Sequence, residues 1–217
     1  MSARVEQHSE TKGAATRRAI LGAAITRFGR DGYRSTSVAD IARDASVGGS
    51  VAYAYFPSKE ALFFAAVDED AAGVIEEGLS SVIGDPDISS WQQTLIFTLV
   101  QAVERHPLAR RLLAGLEPEV TVRVLDIPAL NEVRKACAER IRAEQLAGTV
   151  RPDLNPDGIG NGIVALMLSM LMSVVQLGSE AAVSYSHDVA SVFAAALGPV
   201  PTRCSACDSP LHGPPSR

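Results

Sequence analysis

Three groups of residues in this sequence have side chains able to do chemistry. The first is Cys204-Ser-Ala-Cys207 with His212 beyond it. Two thiolates at that spacing begin a zinc site, but a closed site takes four ligands. The surrounding "PTRCSACDSPLHGPPSR" is rich in Pro, Ser and Gly. Residues 199–217 are therefore expected to form a disordered tail, and no metal is assigned. The second group is His106 and His187, which have no Cys, Ser or carboxylate partner at a catalytic spacing. Glycine loops that cradle phosphate are also missing, so no catalytic residue, no cofactor and no enzyme activity are assigned. The third group lies near the front: Thr36, Ser37, Ser50, Tyr53, Tyr55 and Lys59, around the pair Gly48-Gly49. Hydroxyls, free helix N–H groups and an ammonium suit phosphate oxygens, and small residues let a backbone approach a groove.

Those residues need helices to hold them. Ala, Leu and Val dominate the 217-residue chain, which is 47% apolar and 5% aromatic; Ala and Leu lose little on entering helices. No run of alternating apolar and polar residues appears, and prolines cut the chain into helix-sized pieces. The spacing of Ile20, Leu21, Ala24, Ile25 and Phe28 predicts a first helix from about Thr11 to Asp31, with Gly32 ending it in a left-handed conformation. In "STSVADIARDA", Thr36 or Ser37 caps a second helix that ends near Ala45, and Ser37 with Asp40 fits a capping box. Val38, Ile41, Ala42 and Ala45 form its inner face. After a short turn, "GSVAYAYF" predicts a third helix. Val47, Val51 and Tyr55, spaced by four, should face the first two helices, while Gly49, Ser50 and Tyr53 point elsewhere. Two short helices joined by a tight turn behind a stabilising helix make a helix-turn-helix.

Charge is distributed to match. Residues 1–60 hold nine Lys/Arg against six Asp/Glu; the rest hold eleven against nineteen, for a net of −5 overall. A basic front and an acidic rear suggest that only the front meets a polyanion. The three cysteines and the polar start "MSARVEQHSETKG" argue for a cytoplasmic protein. The run Gly158–Gly178 is long enough to cross a bilayer. Its Asn161, Ser169, Ser173 and Gln176 fit better with a helix buried in a core or subunit interface, so no membrane is assigned.

Residues 16–62 resemble the DNA-binding domain of TetR-type transcriptional regulators. The likeness rests on "TRRAILGAAITRFGRDGYRSTSVADIARDASV" followed by "YAYFPSKEAL", and "VRPDLNPDGIGNGIVAL" resembles the lead-in to the family's eighth helix. The chain departs from the family pattern at Ser46, Gly48, Gly49, Ser50 and Ala52, so the departures fall on the helix that should read bases. The resemblance implies an all-α fold: a three-helix head over 11–57, then a larger helical effector-binding and dimerisation bundle over 58–198. It implies double-stranded DNA as partner, with Lys59 on the backbone, Tyr53 near the DNA and Tyr55 partly in the core. A homodimer through the last two helices, Gly158–Gly178 and Glu180–Leu197, would place two heads on an inverted repeat. An unidentified small-molecule effector would sit among the middle helices, where Trp91, Phe97, Met167 and Met170 could line a cavity. The protein is thus expected to be a ligand-responsive repressor. A helical enzyme or carrier whose front no longer binds DNA is the alternative, kept open by the lack of Arg, Lys, Gln or Asn between Val47 and Phe56.

Overall fold

The computed structural model describes residues 12–80, 88–118, 127–178, 189, 191, 192 and 195–198, with the backbone alone for 88–93. Among the described residues every regular element is a helix. The elements are α1 (Lys12–Ser35), α2 (Val38–Asp44), α3 (Gly49–Tyr55), α4 (Lys59–Ser80), α5 (Ile88–Val103), α6 (Pro107–Leu113), α7 (Pro128–Ala147) and α8 (Pro156–Leu177). Proline opens α6, α7 and α8, where its missing N–H costs nothing because a first-turn N–H has no partner in the helix. Asn155 caps α8 by accepting from the N–H groups of Asp157 (3.0 Å) and Gly158 (3.3 Å). Most of the expected Glu180–Leu197 helix and the whole 199–217 tail lie outside the described residues.

Gly32 breaks α1 with φ 81° and ψ 168°. The positive φ agrees with the sequence expectation, but ψ is extended, and a further turn carries the chain to Ser35. A side chain at Gly32 would also strike Arg111 and Glu117, whose nearest atoms lie 2.5 and 2.7 Å from where a Cβ would be.

The apolar residues form two buried clusters. The front one joins Ile20, Leu21, Ala24 and Phe28 of α1, Val38, Ile41 and Ala42 of α2, Ala52 of α3, and Leu62, Phe63, Ala66 and Val67 of α4. Phe63 packs edge-on against Phe28 (5.0 Å) and Tyr33 (4.9 Å). The front cluster extends past residue 57, taking in the first half of α4 and also Leu108 and Leu112 of α6. The rear cluster lies among α4, α5, α6, α7 and α8 and includes Leu99, Ile141 and Ile163. Gly160 lets α8 lie directly on α7: a Cβ there would sit 2.9 Å from the Arg134 carbonyl oxygen. Burial pushes the Cys137 thiol, on the inner side of α7, up to about 11.

α6 belongs to both clusters, because Ala109 and Leu113 face the rear. Asp70 of α4 holds its start. This carboxylate is 4% exposed. One oxygen accepts from the Leu108 and Ala109 N–H groups (2.9 and 2.8 Å), and the other lies 2.8 Å from His106 Nδ1. His106 Nε2 lies 3.3 Å from Glu77, which is also paired with Arg105. Gly29 of α1 admits Pro107, whose Cβ would lie 2.7 Å from any side chain there. Replacing Asp70 by Ala leaves two buried N–H groups and the Nδ1 of His106 without their partner. Urea unfolding should show about 3–5 kcal/mol of lost stability. Asp70→Asn keeps an acceptor for the two N–H groups and should lose clearly less.

Candidate nucleic-acid interface

The front surface is built around α3. Gly48 caps α3 through its backbone, with no side chain to accept a hydrogen bond. Ala52 is the buried residue of the helix, while Val47 and Tyr55 pack partly against the front core. This corrects the inner face expected from the sequence, which had Val51 pointing inward. Val51 is 39% exposed. The reason is phase: α3 starts at Gly49, and Val47 sits in the preceding turn with its N–H bonded to the Ala42 carbonyl. Counting helical steps from Val47 therefore misplaces the stripe. The outward face carries Gly49, Ser50, Val51, Tyr53 and Ala54, with Tyr53 53% exposed. A side chain at Gly49 would meet open space, so Gly49 leaves backbone accessible instead of relieving a clash.

Between α2 and α3, Ser46 has φ 56°, the one described residue other than glycine with positive φ. A Cβ in that region costs about 1–2 kcal/mol. The turn is fixed by the Val47 N–H to Ala42 bond (2.9 Å) and by Ser46 N–H donating to Arg43 O (3.0 Å).

The residues flanking α3 fall into two groups. Thr36 is 3% exposed and its hydroxyl donates to the Gly32 carbonyl at 2.8 Å. It is a strut of the α1–α2 corner; its side chain does not reach the surface, a correction to its assignment as a phosphate contact. Ser37 is exposed and caps α2 as expected. Its Oγ accepts from Asp40 N–H at 3.2 Å and donates to the Asp40 carboxylate at 2.6 Å. Ser58 caps α4 in the same manner, accepting from Ala61 N–H at 3.0 Å. Lys59 is half-buried at the start of α4, with its ammonium 4.4 Å above the Tyr33 ring and 3.5 Å from the Arg34 carbonyl. Tyr55 is half-buried with its hydroxyl turned toward Gly13 of α1.

Several front cations already serve the protein. Arg27 makes a two-point bond to Asp44 (2.6 and 3.0 Å), tying α1 to the end of α2. Arg30 pairs with Asp31 and Arg43 with Asp40. The Arg27 hydrogen bond holds the Asp44 carboxyl below its usual range, and the hydroxyl of Ser37 with Arg43 does the same for Asp40. What these bonds contribute is present above the ordinary carboxylate range and is lost as pH falls through the lowered values. Arg17 lies over the Phe56 ring at 5.2 Å.

A half-enclosed apolar cavity, partly open to solvent, lies behind this front, among α4, α5, α6, α7 and α8. Met167 lines it. Phe97 is 64% exposed, because Leu95 and Leu99, two residues to either side, take the inner face of α5 and leave Phe97 on the opposite one. Met170 is half-buried and is not part of the lining, and the Trp91 side chain lies outside the described residues.

A short helix presented outward, a tight turn, and two supporting helices around one core define a helix-turn-helix head, and the body behind it is a helical bundle. This is the class of DNA-binding transcriptional regulators. Residues 20–66 match the model of the bacterial regulatory proteins of the tetR family. It is 29% identical over 180 residues to the HTH-type transcriptional repressor Rv1474c of Mycobacterium tuberculosis, across 79% of this chain and 88% of that one. The fold is shared with a TetR-family regulator of Cytophaga hutchinsonii (TM-score 0.69, 18% identity, 89% and 100% of the two chains). It is also shared with a gamma-butyrolactone receptor (TM-score 0.51, 23% identity, 87% and 90%).

Replacing Ser46 by Gly removes the left-handed penalty at the turn. Thermal or urea unfolding should show a gain of about 1 kcal/mol, less what the more flexible unfolded chain takes back. A loss of stability would mean that the Ser46 side chain holds the turn.

Proposed function

We propose that the protein represses transcription as a homodimer in the cytoplasm, through a head over residues 11–57 and a body over 58–198, and leaves its operator when a small molecule enters the body. The observation that carries the DNA-binding part is the outward face of α3, where Val51 and Tyr53 stand exposed. In a carrier whose front had lost its DNA role, nothing would favour exposing an aliphatic and an aromatic side chain there.

Binding strength then comes from the edges of this face. Ser37, Lys59 and the backbone near Gly48 and Gly49 meet phosphates, which position the head without reading sequence. Bases are met by Ser50, Val51 and Tyr53. Val51 offers a methyl-bearing surface to the thymine C5-methyl group, a contact available only in the major groove. With so few polar readers, direct readout is modest and DNA shape supplies part of the discrimination. A two-fold dimer through α8 and the Glu180–Leu197 helix sets two heads about one helical turn apart, roughly 34–36 Å, so the operator is an inverted repeat.

Release follows from the position of α6. Its Ala109, Leu112 and Leu113 line the cavity, and Leu108 and Leu112 also fill the front core. An occupant that favours one placement of α6 favours one placement of the head. The same coupling makes DNA oppose that occupant by an equal factor. The likeness to Rv1474c, which is named a repressor, supports repression, and the fold shared with a receptor named for a gamma-butyrolactone supports small-molecule control.

Two variants separate positioning from reading. With fluorescently labelled operator, Lys59→Gln should weaken binding to every duplex and lower the slope of log affinity against log salt by about 1. Replacing thymine by deoxyuridine across the half-site should weaken the wild type roughly three- to fivefold, one methyl's worth of burial. It should leave Val51→Gly nearly unaffected. Equal loss in both proteins would remove Val51 from base reading.

A further inference from the structure

We propose that the cavity of the body selects an uncharged, hydrocarbon-rich molecule and rejects acids, amines and phosphate esters of the same length. The inference rests on the ligand-responsive regulator proposed above and names the chemistry of its effector.

The walls come from five helices, with Val74 of α4, Leu99 of α5, Leu113 of α6, Val133 of α7, and Met167 and Leu171 of α8 as representatives. Every described residue of the lining is Ala, Val, Leu, Ile or Met. Among the described residues no side-chain nitrogen or oxygen enters the space. The nearest buried charge is Asp70, beside the lining residue Ala71. Its two oxygens are already taken by Leu108 N–H, Ala109 N–H and His106. A bound carboxylate or ammonium would therefore lose its water and find no partner, which disfavours it strongly against a neutral group. A neutral chain loses only apolar hydration, and the flexible Met167 side chain can adapt to its outline. Alkanols, hydrocarbons and neutral esters fit these terms. A molecule with a single polar end must keep that end at the mouth.

The test uses the full-length protein and the uncharged dye N-phenyl-1-naphthylamine. Its fluorescence should rise saturably with protein. 1-Decanol should displace it at a concentration at least about tenfold below that needed for decanoate or decylamine at pH 7.5. Ala71→Phe, which puts a ring into the space from a half-buried position, should abolish dye binding while the thermal transition is kept. Decanoate or decylamine competing as well as 1-decanol would overturn the assignment of ligand class and leave the regulator standing. So would dye fluorescence that does not saturate, or that is unchanged by Ala71→Phe in a protein that still unfolds cooperatively. A separate arm adds 1-decanol to the complex with labelled operator. Dye displacement without any change in DNA affinity would uphold the ligand class and count against effector-controlled release.

Discussion

The structure depends on α6 being shared. Seven residues, Pro107–Leu113, sit between a head and a body and contribute to the buried clusters of both. Leu108 is fully buried in the front core, and Leu113 is buried in the rear one. Because interiors are close-packed and resist gradual deformation, a rigid element gripped from both sides moves as a unit or not at all. Asp70 fixes the start of that element by accepting from two N–H groups that the helix itself cannot satisfy. The same carboxylate faces His106, so α4 and α6 are joined by directional bonds as well as by apolar contact. A cavity lined by α6 is thus one packed residue away from the core that supports α3.

On the DNA side, the body's acidity and the head's modest basic excess are reconciled by where the charges go. Arg27 and Arg43 are used to fasten α1 and α2, through Asp44 and Asp40. The head is consequently stiff but sparsely charged on its outer face. In the proposed complex, contact with a duplex would rely on capped helix ends, hydroxyls and a lysine steadied over Tyr33. On the proposed reading such a head would orient well and discriminate weakly, and pairing two heads would multiply what each contributes.

Much of the fold could be read from residue types, for identifiable reasons. The periodic stripe of α1 and the Ser37–Asp40 box are local signals, and both stand where periodicity and capping chemistry put them. The prolines opening α6, α7 and α8 act through their own rings and need no tertiary context. The face of α3 was misread at Val51 because a seven-residue helix gives too few turns to fix its phase. The true anchor, Ala52, is a small residue that looks neutral in sequence. Thr36 was assigned to the surface for its hydroxyl, but that hydroxyl closes on the Gly32 carbonyl, a partner created by the kink at the same glycine. Phe97 stands outside the cavity it is expected to line, as its spacing from the buried Leu95 and Leu99 requires. The sharing of α6 between cores had no sequence signal, since it arises from long-range packing at Gly29 and Asp70.

The central claim is that so lightly furnished a helix reads DNA, twice, with two-fold symmetry. Selection of fragments of the source genome by the purified protein, followed by sequencing of those retained, addresses it most directly. The account predicts enrichment of a small set of fragments sharing an inverted repeat, with half-site centres about one helical turn or a whole multiple apart. Retained fragments with no common sequence, or a shared site without inverted symmetry, would contradict it.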